Sequence, residues 1–512
     1  MSYLPRERQQ QAIDKMVEFV NSKTTKKGLF IYPTSFGKSI VIANVASKFP
    51  DKYFINVTTS KELLKQNYEK FSSYGFEASV CSASLNSKDV GKITFATAGT
   101  LIKQAEFFKD KDVVILSDEA HVGSKKGSQL FKFVSKVKNS KLIGTTATPL
   151  RLKAGMSGTE LKMMNRDRDC FYSSIEDVVQ ISEVVKDKYW SELVYDIRST
   201  DEKSLKLNTS GTDYTLESLK KYSDENDIVK KCVDSVNELI KEGRKSILVF
   251  LPFIEDAKKV QEELDSCAAI YSGMDDKLRD ASISDFKNLK LKVISQVNIL
   301  SYGFDHPELD AIVFARPTNS ITIWYQGLGR GVRIHSNKSN CKIIDLSGNF
   351  QKFGKIEDIN FEDKKEYGGW AAFSGDRLLT NYPLGMENVP TKTSLKEAYD
   401  REQSYKNNQL LKPNPEFYFG KYKGKKLTEV LKDKDGKSYL AWIVEPKTDF
   451  NFHGEKGNIL KIGIYEELKL PIPKEKTPPK QNYQPTVKKE HKELLNNFTN
   501  NIKTFKDLEG IF

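Results

Sequence analysis

The run Pro33-Thr34-Ser35-Phe36-Gly37-Lys38-Ser39 orders its residue types as a phosphate chain requires. A turn at Gly37 exposes backbone N–H groups, and a helix starting there adds its own N-terminal donors. Lys38 brings a cation to the terminal phosphates, and Ser39 offers an oxygen to Mg2+. Asp118-Glu119-Ala120-His121 supplies two adjacent carboxylates. Asp118 is suited to hold Mg2+, largely through water, and Glu119 to orient or deprotonate an attacking water. Gln326-Gly327-Leu328-Gly329-Arg330-Gly331-Val332-Arg333 supplies two cations spaced for one helix face, with Gln326 four residues before Arg330. An arginine reaching a transferring phosphoryl group from outside contributes about 10³–10⁵ in rate. Each segment has a plain counterpart: an ordinary turn, an acidic surface pair, a solvated basic helix. Their combination is what predicts hydrolysis of a nucleoside triphosphate.

The elements that must position these residues are legible as apolar runs. Strands are expected at 28–32, 53–57, 93–97, 113–116 and 141–145, with helices at 38–47 and 61–71. A carboxylate pair just after the 113–116 strand, and the Gly-Lys-Ser turn just after the 28–32 strand, belong at one edge of a parallel sheet. Continuous apolar strands alternating with helices indicate a sheet covered on both faces. The pattern returns at 246–251, 255–264, 292–297, 311–315 and 341–346. Glycines at 327, 329 and 331 cost about 1 kcal/mol each in a helix, which suggests close approach of another domain.

These runs divide the chain into 1–150, an irregular insertion and linker at 151–222, a second α/β domain at 223–350, an accessory region at 351–470 and a tail at 471–512. The tail combines a Pro- and Lys-rich linker with a terminal amphipathic helix expected at 494–512. A length of 512 residues is too great for one core. The charge of +12 favours a polyanionic partner. The five cysteines, Cys81, Cys170, Cys232, Cys267 and Cys341, form no C-x-x-C pair and argue against a disulfide framework or a zinc site. No apolar run approaches the ~18 residues of a membrane span. No signal segment opens the chain, so a cytoplasmic location is expected, in a bacterial or phage-infected cytosol.

Over residues 4–350 the chain resembles superfamily 2 helicases. The first Gly of a G-x-x-x-x-G-K loop would fall at Tyr32, and Ser35 replaces an inner Gly; this version resembles phage branch-migration helicases. Arg6-Glu-Arg-Gln9-Gln-Gln-Ala-Ile13 resembles the R-x-Y-Q opening, with Arg8 in place of Tyr. Thr146-Ala-Thr-Pro149 with Arg151, the 298–307 run and Asp345-Leu-Ser-Gly-Asn349 resemble the RadD, XPB and restriction-translocase branch. The resemblance implies an α/β fold of two RecA-like parallel-sheet domains in tandem plus a small C-terminal module. It implies ATP and Mg2+ as cofactors. By residue, it implies Gln9 as adenine reader and Thr34, Ser35, Phe36, Gly37, Lys38 and Ser39 around the phosphates. Gly303 and Asp305 become ATP contacts from the second domain, and Thr59, Thr97 and Ser301 nucleic-acid contacts. RadD-like proteins carry a zinc segment that this cysteine pattern lacks. Residues 415–446 resemble the C-terminal module of exodeoxyribonuclease X-like proteins. That module interleaves lysines with aromatics, as a single-strand binding surface would, or as a small packed module with its rings inside would.

The expected function is an ATP-dependent DNA helicase or translocase on branched or partly single-stranded DNA in replication, recombination or repair. Replication or recombination proteins are further candidate partners. An RNA helicase, a restriction-type motor subunit and a non-catalytic nucleic-acid binder are the alternatives.

Overall fold

The computed structural model describes residues 4–470 except 156–157, 199, 300–303, 385–388, 411–413, 446–447, 449–451 and 453. The expected tail linker and the 494–512 helix lie outside the described residues, as do Ser301 and Gly303.

The first sheet contains β1 (Gly28–Ile31), β2 (Tyr53–Thr58), β3 (Ser79–Ser82), β4 (Ser87–Lys88), β5 (Ile93–Thr97), β6 (Asp112–Ser117), β7 (Asn139–Thr146) and β10 (Ser174–Val178). Its order is β10-β1-β7-β6-β2-β5-β3-β4, with only the β3–β4 pair antiparallel. A hairpin of β8 (Leu150–Gly155) and β9 (Gly158–Met163) follows β7. The second sheet, wholly parallel, has the order β11-β16-β15-β12-β14-β13. Its strands are β11 (Glu192–Ile197), β12 (Ile247–Phe250), β13 (Cys267–Ile270), β14 (Val293–Gln296), β15 (Ala311–Phe314) and β16 (Asn340–Asp345). These are two RecA-like α/β domains in tandem. Every residue of β1, β12, β14 and β15 is buried, as strands with both faces covered must be.

Apolar packing joins the domains. One cluster runs from Phe30, Ile115 and Leu142 of the first sheet to Phe250, Phe314 and Tyr325 of the second domain. A separate cluster, with Val236, Ile247, Val249 and Ile344, fills the other face of the second sheet.

Residues 151–222, expected to be irregular, contain strands of both sheets. β10 pairs with β1, and β11 pairs with β16. Both are outer strands of mixed composition (Ser-Ile-Glu-Asp-Val and Glu-Leu-Val-Tyr-Asp-Ile), so their sequences carry no continuous apolar run.

Beyond β16 the chain forms a three-stranded antiparallel sheet, β17 (Ile359–Lys364), β18 (Gly369–Ser374) and β19 (Arg377–Leu378). It returns to the first domain. The Gln180 side chain exchanges two hydrogen bonds with the Phe361 backbone, at 2.6 and 3.1 Å. The Asn381 and Leu384 N–H groups donate to the carbonyls of Leu161 and Thr159. This sheet belongs to the same compact unit as the two large sheets, a unit that ends at Lys392.

The second unit begins at Thr393. Its helices Leu427–Lys432, Gly436–Ile443 and Gly454–Glu467 enclose Phe417, Tyr422, Leu440, Leu460 and Ile464. Trp442 is 53% exposed and Tyr418 37%. The aromatic residues of this module therefore divide between core and surface. Among the described residues, no helix is long and apolar enough to cross a membrane.

Candidate nucleotide site

The first-domain residues expected to do chemistry follow strand ends. Tyr32 leads from β1 into the Thr34–Gly37 loop, Asp118 follows β6, and Thr146 ends β7. Helix Lys38–Ser47 starts directly after Gly37, whose φ of 89° is left-handed. A Cβ there would press on the end of the Gln9 side chain, and the backbone angle by itself favours glycine. Ser35 is also left-handed, at φ 62°. That is why glycine is the usual residue at its position, and why the serine version costs something.

Lys38, Asp118 and Glu119 meet at the sheet edge. Lys38 Nζ lies 3.3 Å from Glu119 Oε1 and 3.8 Å from Asp118 Oδ1. Burial pulls the Lys38 pKa down, but the two carboxylates outweigh it and the net shift is upward. Lys38 therefore stays a cation. Asp118 is held by Thr145 Oγ1 and Asn67 Nδ2, each donating at 3.0 Å.

Glu119, at φ 46°, turns its carboxylate toward the second domain, where Gln326 Nε2 donates to Oε2 at 3.4 Å. His121 Nδ1 lies 3.4 Å from the same oxygen and 2.9 Å from Thr146 Oγ1. Burial lowers the His121 pKa, and Glu119 only partly opposes this, so the ring is neutral at pH 7. Glu119 is thus linked through His121 to the Thr146–Thr148 segment.

From the second domain, Gln326, Arg330, Arg333 and Asp305 line the same cleft, a space of about 540 Å³ that also touches Thr34, Ser35, Gly37, Lys38 and Ser39. Arg330 donates to the Phe304 carbonyl at 2.9 Å, and Arg333 pairs with Asp305. The helix here spans Ile321–Leu328 and ends before either arginine. The expectation that both share one helix face is therefore corrected: a turn after the helix presents them. Of the three glycines, only Gly329 faces the other domain. Its Cβ would lie 3.2 Å from Thr34 Oγ1, whereas Cβ atoms at 327 and 331 would strike Phe314 and Cys341 of their own domain.

The cleft suits a triphosphate. Two buried polar atoms among its lining residues, Ser35 Oγ and Gln326 Oε1, have no protein partner. Such groups cost about 1–3 kcal/mol unless a ligand or water satisfies them. Ser39, Asp118 and Glu119 offer oxygens to Mg2+ beside the Lys38 ammonium, a donor set that fits a phosphate-bound ion. Among the described residues, no cluster of three His, Cys, Asp or Glu groups could hold a metal on its own.

Gln9 is 1% exposed. Its Nε2 donates to the Phe36 carbonyl at 2.7 Å, and its Oε1 accepts from Arg6 N–H at 2.9 Å. Phe36 packs its ring on Tyr32, and its carbonyl accepts from both Gln9 and Arg6. Arg8 does not offer the flat ring a Tyr would. It pairs with Asp177 and Glu183. Beside Gln9 a cavity of about 470 Å³ opens, lined also by Arg6, Arg8, Val179, Val184 and Tyr189.

Thr59 and Thr97 stand elsewhere, at the C-terminal ends of the paired strands β2 and β5, where Thr58 and Thr97 are register partners. The individual sequence signals did not mark Asn67, Tyr189, Trp190 or Tyr325. Tyr325 Oη accepts from Thr34 N–H across the cleft at 3.2 Å. A lone aromatic or amide has no motif of its own; only the fold brings these to the loop.

Two family matches coincide with the two domains. Residues 2–151 match the type III restriction enzyme res subunit, and residues 230–335 match the helicase conserved C-terminal domain. A protein of Lactococcus phage described as a 51.5 kDa protein is 25% identical over 66% of this chain and 69% of its own. A Saccharomyces cerevisiae protein named as an ATP-dependent helicase, IRC3, is 26% identical over 67% of this chain and 51% of its own. A Vibrio vulnificus fragment, described as the HsdR subunit of a type I restriction enzyme, shares the fold with TM-score 0.51 at 20% identity. That match covers 68% of this chain and 65% of the fragment. The chain thus spans between about half and two-thirds of these proteins. The two matched domains, in this order on this fold, give the chain the domain content of a superfamily 2 helicase.

Proposed function

We propose that the chain is an ATP-driven nucleic-acid motor acting on DNA. The observation that carries this reading is the convergence on Glu119: Lys38 approaches it from its own domain and Gln326 from the other. A catalytic carboxylate held between two domains ties hydrolysis to their relative position, and that coupling is what a translocating motor requires.

In this reading Lys38, Ser39 and Asp118 hold the phosphates and Mg2+, and Glu119 with Gln326 positions the attacking water. Arg330 and Arg333 neutralise the developing charge, Gln9 contributes to the adenine site, and Asp305 lines the ATP from the second domain. Thr59 and Thr97 contact the nucleic-acid backbone, as does Ser301, and Gly303 joins Asp305 at the ATP; Ser301 and Gly303 lie outside the described residues. The expected substrate is forked or partly single-stranded DNA. The charge of +12 favours a nucleic-acid polyanion, and the likeness to restriction-enzyme motors favours DNA over RNA. The lysine-rich second unit, with Trp442 exposed, is proposed as an added DNA contact resembling the exodeoxyribonuclease X-like module.

Lys38→Ala and Glu119→Gln are each expected to abolish DNA-stimulated ATPase while the thermal midpoint stays within a few degrees. Undiminished turnover in either folded variant would sink the reading. Comparing stimulation by single-stranded, duplex, forked and four-way DNA with matched RNA identifies the substrate.

The family match at residues 2–151 favours a second reading, the motor part of a restriction system. Stable assembly with a DNA-cleaving subunit, and cleavage dependent on a recognition sequence, would favour it over a stand-alone helicase.

A further inference from the structure

The segment 187–191 joins the last elements of the first domain to β11 of the second, and it is fastened to both halves of the nucleotide site. Trp190 Nε1 donates to the carbonyl of Thr34 in the phosphate loop at 2.9 Å. One residue on, Ser191 N–H donates to the carbonyl of Val332, between the cleft arginines, at 2.7 Å. Lys188, at φ 56°, makes the turn that brings the segment in, and Tyr189 N–H closes it onto the Val184 carbonyl.

Tyr189 is the residue this turn delivers. With Arg6, it lines both the phosphate cleft and the neighbouring 470 Å³ cavity. The Arg6 guanidinium lies 3.6 Å above the Tyr189 ring. The two flat groups form a stacked wall where the cavities meet. Their charges differ along that axis: Lys38, Lys70, Arg330 and Arg333 outnumber Asp118, Glu119 and Asp305 on the phosphate side, whereas Glu7, Glu183 and Asp187 outnumber Arg6 and Arg8 around the far cavity. A ligand with a polyanionic end and a flat uncharged end has one favourable orientation here. The far cavity falls within the roughly 300–1,000 Å³ of small-ligand sites.

Resting on the ATPase reading above, we propose that Tyr189 is the base-stacking residue of the nucleotide site. It replaces the aromatic that Arg8 displaces from the sequence opening. Gln9 is committed to the Phe36 carbonyl and the Arg6 N–H, so it contributes less to base affinity than the stacked wall does. Because the same segment bonds Thr34 and Val332, seating the base also fixes the connection that joins phosphate loop to arginines.

The test compares ATP with inorganic tripolyphosphate, which has the phosphates and no base. Dissociation constants for both are measured by isothermal titration on the full chain, for wild type, Tyr189→Ala and Tyr189→Phe. Loss of one stacking partner predicts that Tyr189→Ala binds ATP about tenfold more weakly. Tripolyphosphate affinity should be unchanged, and Tyr189→Phe should match wild type for both ligands. Equal weakening of ATP and tripolyphosphate in Tyr189→Ala would overturn the proposal, since the residue would then only support the loop. Unchanged ATP affinity would overturn it as well. A wild type that binds ATP but never hydrolyses it would overturn the motor reading and leave this one standing.

Discussion

At the residue scale, Glu119 has three neighbours that set different properties. Lys38 neutralises it, His121 links it to Thr146, and Gln326 reaches it from the other domain. Removing Lys38 should remove nucleotide affinity, whereas removing Gln326 should spare it. Gln326→Ala is therefore expected to lower kcat by about 10²-fold, the effect of losing one well-placed polar group, with ATP affinity within a few-fold of wild type. Single-turnover and equilibrium-binding measurements separate the two. A matching loss of affinity would instead make Gln326 a ground-state contact.

At the scale of elements, the approach of the Ile321–Leu328 helix end to the phosphate loop depends on Gly329. A Cβ there would meet the Tyr325 carbonyl at 2.9 Å and Thr34 Oγ1 at 3.2 Å. Gly329→Val adds bulk on that same side and should push the arginine turn away from the loop. ATPase is expected to fall at least tenfold while the helix itself persists by circular dichroism. Gly331→Val should instead destabilise the second domain, because its Cβ would lie 2.5 Å from the buried Cys341 sulfur. Thermal unfolding distinguishes them: the 331 variant loses stability, and the 329 variant mainly loses turnover.

At the scale of the whole molecule, two buried histidines make stability depend on pH. Burial lowers the pKa of His306 from 6.5 to about 4, and it lowers that of His121 as well. The unfolded chain takes up these protons first as pH falls. Their stabilising contribution is therefore fully present above about pH 6.5 and is lost as pH falls, that of His306 progressively toward pH 4. The urea midpoint should decline across that window. His306→Gln, which retains a side-chain partner for Ser246 Oγ, now 2.9 Å from the ring, should flatten the decline. An unchanged pH profile would show that other groups control it.

Sequence alone was enough for the parts governed by local chemistry. The apolar runs of β1, β6, β12 and β15 have both faces covered, so their pattern is continuous and legible. The phosphate loop and the Asp118-Glu119 pair are legible because each follows such a strand. β10, β11 and β13 are not legible in this way. All three are outer strands, two of mixed composition and the third a short Cys-Ala-Ala-Ile run, and only their partners make them strands. The arginine turn was legible in composition but not in shape, since ending the helix at Leu328 depends on packing around Gly327 and Gly331. Sequence fixes which groups can bind phosphate, because those roles follow from charge and backbone freedom. Only the tertiary structure decides which groups face them across the cleft. Gln326 against Glu119, Tyr325 against Thr34 and Tyr189 against Arg6 join residues far apart in the chain, and no local pattern encodes such a meeting.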